Sequence, residues 1–150
     1  MLSFNNSKSL KLPEGFSLEL GEPPPPEALN RLLLKCYGES HPAKQLAKAL
    51  NNSFCNASVK EDKTGKLFGF VRITSDQGLN ANLWDLVAEP GKFQKQFLTI
   101  LVNRSLLLIR RELPGCSVSL AAPSVAIEAL RSQGFVLDPN GIRVMAYKIR

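Results

Sequence analysis

The pattern of apolar and polar positions is most informative over residues 81–88. There Leu83 and Val87 fall on one face of a strand with Asp85 between them, and Trp84, Leu86 and Ala88 fall on the other, because successive strand side chains point to opposite faces. Both faces are mostly apolar, so this strand belongs in the middle of a sheet covered from both sides. Pro90 and Gly91 end it, and the longest helical run in the chain follows. A helix N-terminus placed at the centre of a sheet presents free backbone N–H groups to an anionic ligand.

The remaining elements can be read in chain order. Residues 1–15 mix Ser, Asn and Lys and read as a loose arm, and Phe16 to Leu20 then alternates as a first strand would. Four prolines, Pro23 to Pro26, stop that strand, and the last fits the first turn of a helix beside Glu27. Leu29, Leu32, Leu33 and Cys36 repeat at helical spacing up to Gly38, and a second short helix runs from Pro42 to Leu50. Residues 54–60 and 67–74 predict two strands around a hairpin loop at 62–66, and a short loop at 75–78 leads to the central strand. Strands joined this tightly are antiparallel neighbours. The long helix carries Phe97, Ile100, Leu101, Leu107 and Leu108 on one side, with Val102, Leu106 and Ile109 close to it. After it, residues 116–121 predict a strand reached by a crossover and hence parallel to the central one. Ser124 is placed to cap a helix over 125–133, Gly134 closes it, and residues 135–137 and 142–149 predict a final hairpin around the turn 138–141.

Composition narrows the class. A chain of 150 residues that is 44% hydrophobic and 21% charged is one soluble domain, here residues 16–150. The net charge of +6 favours acidic partners, but Lys and Arg are dispersed, and nucleic-acid binding lacks a basic stripe and paired exposed aromatics. Cys36, Cys55 and Cys116 are far apart and His41 is the only histidine, which leaves no metal site of usual spacing and points to a reducing compartment. Neither a secretory leader nor a membrane-spanning run is evident. The expectation is an intracellular location: the cytoplasm, or the plastid stroma if the chain is eukaryotic.

This element order, with the central strand ending at Val87, Glu89 and Pro90 and a tail opening on Gly134 and Phe135, resembles the GNAT superfamily of acyl-CoA N-acyltransferases. Leu29 to Leu33, Gly69 to Arg72 with Thr74 to Asp76, Asn80 to Val87, and Asp138 to Ile142 are similar to its small plastid and cyanobacterial-type branch. The resemblance implies an α+β fold with a GNAT-like central mixed, mostly antiparallel sheet of about seven strands and helices on both faces. It also implies transfer of an acyl group from acetyl-CoA or another acyl-CoA to a primary amine, on a small molecule or a protein. A homo-oligomer is left open.

By that resemblance the donor lies against the backbone of Leu86, Val87 and Ala88, and its pyrophosphate meets Lys92, Phe93, Gln94, Lys95 and Gln96, with Ser124 nearby. The family's loop has the pattern R/Q-x-x-G-x-G/A. This chain has no glycine at the matching places, which fall on Gln96 and Leu98 or, one residue on, on Phe97 and Thr99. A non-glycine residue held at positive φ there would cost roughly 1–2 kcal/mol. The tyrosine that many members carry four residues before the glycine of Gly134 and Phe135 is Leu130 here. Asp85 is the candidate base, because burial between apolar neighbours would raise its pKa; the competing reading is a structural carboxylate bonded to loop N–H groups. Ser75 and Asp76 could face the amine, although both residue types are also turn formers. Missing glycines and tyrosine favour an alternative: a catalytically inactive GNAT fold that binds an acidic partner or a different ligand.

Overall fold

The structure, a computed structural model, describes residues 10–147. Its sheet runs in the order β1 (Phe16–Leu20), β2 (Cys55–Glu61), β3 (Leu67–Ser75), β4 (Asn80–Ala88) and β5 (Ser117–Ser119). Neighbours are antiparallel except β4 and β5, which are parallel. Helices α1 (Pro26–Tyr37) and α2 (Ala43–Asn52) cover one face, where Leu29, Leu32, Leu33, Leu46 and Leu50 meet Phe70 and Val87. The other face carries α3 (Gln94–Glu112) and the short α4 (Ile127–Arg131). Helices on both faces explain why β4 is apolar on both sides.

The expected breaks hold locally. Pro26 opens α1 with Glu27 in its first turn, and Gly38 ends it in the left-handed region at φ 70°, its N–H donating to the Leu34 carbonyl at 2.9 Å. Gly69 of β3 is needed for another reason. A Cβ there would stand 3.0 Å from Leu101 Cδ1, so α3 lies close on the sheet only because this position is bare. On α3 the buried side is Phe97, Leu98, Ile100, Leu101, Val102, Ser105 and Ile109, whereas Leu107, expected inward, is exposed. Ser105 sits inside that stripe because its hydroxyl donates to the Leu101 carbonyl at 2.8 Å, satisfying a buried polar group locally.

Among the described residues the sheet has five strands, not about seven. The turn of the expected last hairpin does form, with Asp138 and Asn140 at positive φ and Arg143 paired to Asp138 at 2.7 Å. Its arms do not pair: Ile142, Val144 and Tyr147 are exposed and residues 142–147 carry no strand. Alternation alone cannot make a strand without a neighbouring edge to bond. The end of that expected strand lies outside the described residues, as do residues 1–9 of the expected arm. Within 10–15, Leu12 packs on the α3 side of the core and the Lys11 carbonyl accepts a hydrogen bond from Gln96 at 2.9 Å. The expected helix over 125–133 is a single 3-10 turn (Ser124–Ala126) leading into α4, and Ser124 makes no side-chain capping bond.

Candidate active site

The site begins with an irregularity in β4. Phe70 pairs with Val87 and Arg72 with Trp84, so the single residue Val71 of β3 faces both Asp85 and Leu86. Asp85 is the extra residue of this bulge and adopts φ 55°. The bulge reverses the pleat. Leu83 upstream and Leu86 and Ala88 downstream all join the α3-side core, and Val87 joins the α1 side. The sequence expectation had placed Leu83 and Val87 together, because strict alternation contains no bulge.

Asp85 is therefore not isolated among apolar side chains. Its Oδ2 accepts from Arg72 Nε at 2.6 Å in a half-buried ion pair, and the guanidinium also lies 5.7 Å from the centre of the Trp84 ring. Trp84 donates in turn to Thr74 Oγ1 at 2.7 Å. Oδ1 of Asp85 has no hydrogen-bond partner among the described residues.

β4 and β5 part before the bulge is reached. They pair only from Asn80 to Asn82 with Ser117 to Ser119, and beyond that a cavity of about 490 Å³ opens between Leu83 to Leu86 and the extended segment 120–123. Glu89 N–H bonds to Phe68 of β3 at 2.7 Å, so by antiparallel alternation Leu86 and Ala88 turn their N–H and C=O groups away from β3 and toward the gap. Side chains reach those carbonyls: Tyr37 donates to Leu86, and Cys36 Sγ at 3.3 Å and Gln94 Nε2 at 3.1 Å donate to Ala88. Burial, with Cys36 and Asp85 nearby, pushes the Tyr37 hydroxyl up to about 12, so it remains a donor at neutral pH. Burial also raises Cys36, as does Glu89, keeping it a thiol.

From the edge of the gap at Leu86 the chain runs on through Pro90 to the N-terminus of α3. Phe93 precedes it without a side-chain capping bond, and no acidic residue occupies its first turn. The Gln94 N–H donates to the Gly91 carbonyl at 3.2 Å, and the N–H groups of Lys95 and Gln96, without a partner among the described residues, are the ones left for an anion such as the pyrophosphate of a CoA donor. Lys92 lies 4.7 Å above the Phe93 ring, Lys95 pairs with Glu128 at 2.5 Å, and Ser124 is exposed at the end of the segment that walls the gap. The anticipated backbone strain is missing. No residue from Lys92 to Leu98 has positive φ; only Gly91, before them, does, at 149°. Phe97 and Leu98 point into the core, and Phe97 stacks with Phe16 and Phe93 at centroid distances of 5.0 and 5.8 Å. Bulk at these two positions faces away from the helix mouth, which therefore fits an anionic group.

Other sequence candidates lie apart from this chemistry. Leu130, at the place of the family tyrosine, is buried in the α3-side core. Ser75 and Asp76 are committed to their turn: Ser75 donates to the Asn80 carbonyl at 2.6 Å, and Asp76 Oδ1 accepts from the N–H groups of Asn80, Gly78 and Leu79. Those donors hold the Asp76 carboxyl well below the usual carboxylate range. A carboxylate with a lowered folded-state pKa contributes stability above its unfolded pKa of about 3.9 and loses it as pH falls below that. Asp76→Asn should lower the urea midpoint at pH 7, with the difference shrinking as pH falls from about 4; a gap unchanged down to pH 2 would show that the charge is not what matters. Tyr37 was the functional candidate least legible in sequence, since its place on the gap depends on how α1 crosses β4.

A mixed sheet with helices on both faces, and two parallel strands parting at a helix mouth, defines the acyltransferase fold called GNAT. Comparison places the chain there. A probable acetyltransferase of unknown function from meticillin-resistant Staphylococcus aureus superposes with a TM-score of 0.76 over 89% of this chain and 100% of its own, at 17% identity, a likeness of fold. The uncharacterized N-acetyltransferase ycf52 of Pyropia yezoensis is 36% identical over 106 residues, 69% of this chain and 60% of the relative. The chloroplastic GCN5-related N-acetyltransferase 2 of Arabidopsis thaliana is 30% identical over 124 residues, 69% of this chain and 47% of the relative. The chain thus spans about half to three fifths of the length of these curated relatives. No protein-family model matches it. The chain belongs to the GNAT superfamily, in its plastid and cyanobacterial-type branch.

Proposed function

We propose that the chain is an N-acetyltransferase that moves an acetyl group from acetyl-CoA to a primary amine by direct attack. The observation that carries this reading is the parted pair β4 and β5, with Leu86 lining the gap between them and the uncapped N-terminus of α3 following β4 in the chain. Acetyl-CoA, when bound, supplies the activated acetyl group. The free amides of Lys95 and Gln96 would hold its pyrophosphate, with Lys92, Gln94, Lys95 and Ser124 beside it and Phe93 at the turn, and the backbone from Leu86 through Val87 to Ala88 would align the rest. Asp85 Oδ1 would take the proton that the amine sheds as the amide C–N bond forms and the thioester C–S bond breaks, the departing thiolate taking its proton from solvent, while Arg72 fixes the carboxylate through Oδ2. The Arabidopsis relative's chloroplastic name supports the plastid stroma as its compartment if the chain is eukaryotic.

A second reading is favoured by one specific contact. The Gln94 amide already occupies the Ala88 carbonyl, which suits a retired fold that keeps the gap closed to a donor. Titration with acetyl-CoA during thermal unfolding separates the two. At a hundredfold the dissociation constant, binding should add about 2.7 kcal/mol of stability. The absence of any shift at millimolar acetyl-CoA would leave only the retired fold standing.

A further inference from the structure

A second cleft, about 460 Å³ in volume, lies between α1 and the hairpin joining β2 to β3 and shares no lining residue with the gap between β4 and β5. Its walls include the buried side chains of Leu32 and Leu67. Arg31, Lys35 and Lys66 bring positive charge to it, and Glu89 brings the only negative charge among its lining residues. Three cations against one carboxylate leave two charges uncompensated. Both lysines converge on the same oxygen, Glu89 Oε1, Lys66 at 3.5 Å and Lys35 closer. Arg31 forms no ion pair among the described residues, whose ion pairs involve other cations.

We propose that this cleft binds a phosphate monoester, with the Arg31 guanidinium and the Lys35 and Lys66 ammonium groups on its oxygens. Apolar walls focus the field of like charges gathered in a concave surface. Near neutral pH a phosphate monoester carries about −1.5 to −2, which matches the excess. The fork of an arginine grips two phosphate oxygens at once, and lysines add point charges. Glu89 repels the ligand but gathers the two ammonium groups in one place, so less side-chain freedom is lost on binding. Its own side chain is only 12% exposed, below the more exposed lysines.

Arg31 is the clean position to change, because removing either lysine would strip Glu89 of a partner. Titrating the whole protein with glycerol 3-phosphate at fixed ionic strength, and following backbone amide shifts by NMR, should give saturable shifts at Arg31 and at residues 64–66. In Arg31→Gln the affinity should fall at least about tenfold, the scale of one charge-assisted hydrogen bond, with thermal unfolding unchanged. Equal affinity in the variant, shifts that never saturate, or succinate binding as tightly would overturn the proposal. Saturation confined to residues 94–96 would also overturn it, by placing the phosphate on α3, and would do so without touching the acetyl-CoA reading.

Discussion

Asp85→Asn is expected to lower kcat/KM for acetylation of a primary amine by about a hundred- to ten-thousandfold, the usual worth of a positioned proton acceptor. Asparagine is the informative replacement. It preserves the shape of the side chain, tolerates the positive φ that the bulge requires, and keeps an oxygen that can accept from Arg72, but it cannot take a proton. Loss of rate with an unchanged KM for acetyl-CoA would identify Asp85 as acting on the amine. Asp85→Gly adds a second readout. Glycine adopts φ 55° without strain, so it should keep the bulge while discarding both the ion pair and the chemistry. If Asp85→Asn retains full activity, the carboxylate is a fastener for Arg72 and the proton leaves by another route.

Phe97→Ala should have the largest effect on stability. Phe97 is 1% exposed, and its ring lies 5.0 Å from that of Phe16, 6.1 Å from Phe68 and 5.8 Å from Phe93. Truncating a buried phenylalanine costs about 3–5 kcal/mol, through lost burial and the cavity left behind. For a domain held by some 5–15 kcal/mol this is a large share. Urea unfolding should show a clear fall in midpoint with little change in slope. A loss under about 1 kcal/mol would mean that the surrounding rings collapse into the vacated space. Phe93 immediately precedes α3, so the same substitution should weaken acetyl-CoA binding by loosening the helix mouth.

How far the sequence could be read depends on what each residue had to signal. Periodicity located β1 to β4 and α1 to α3 to within a residue or two, because each buries an apolar stripe against a partner that is also present. It failed at the tail, where Ile142, Val144 and Ala146 alternate suitably but find no strand edge to bond. It failed again at Asp85. Positive φ is usually announced by glycine or asparagine, and here an aspartate takes it, held by a cation thirteen positions earlier on β3. The missing glycines in the first turns of α3 were legible, yet their consequence was not. Whether Phe97 crowds a ligand depends on where its side chain points, and it points at Phe16 and Phe68.

The side-switch at Asp85 also dictates how β4 can be edited. Its upstream and downstream halves are out of step by one, so a single-residue deletion at the switch would yield an unbroken ribbon. Leu83, Leu86 and Ala88 would keep their common face and Val87 the opposite one, and what would be lost is the Asp85 carboxylate with its pair to Arg72. A length change of one in the loop at 62–66 disturbs neither half. The one place where β4 can spare a residue without moving its neighbours is thus the place that holds the carboxylate.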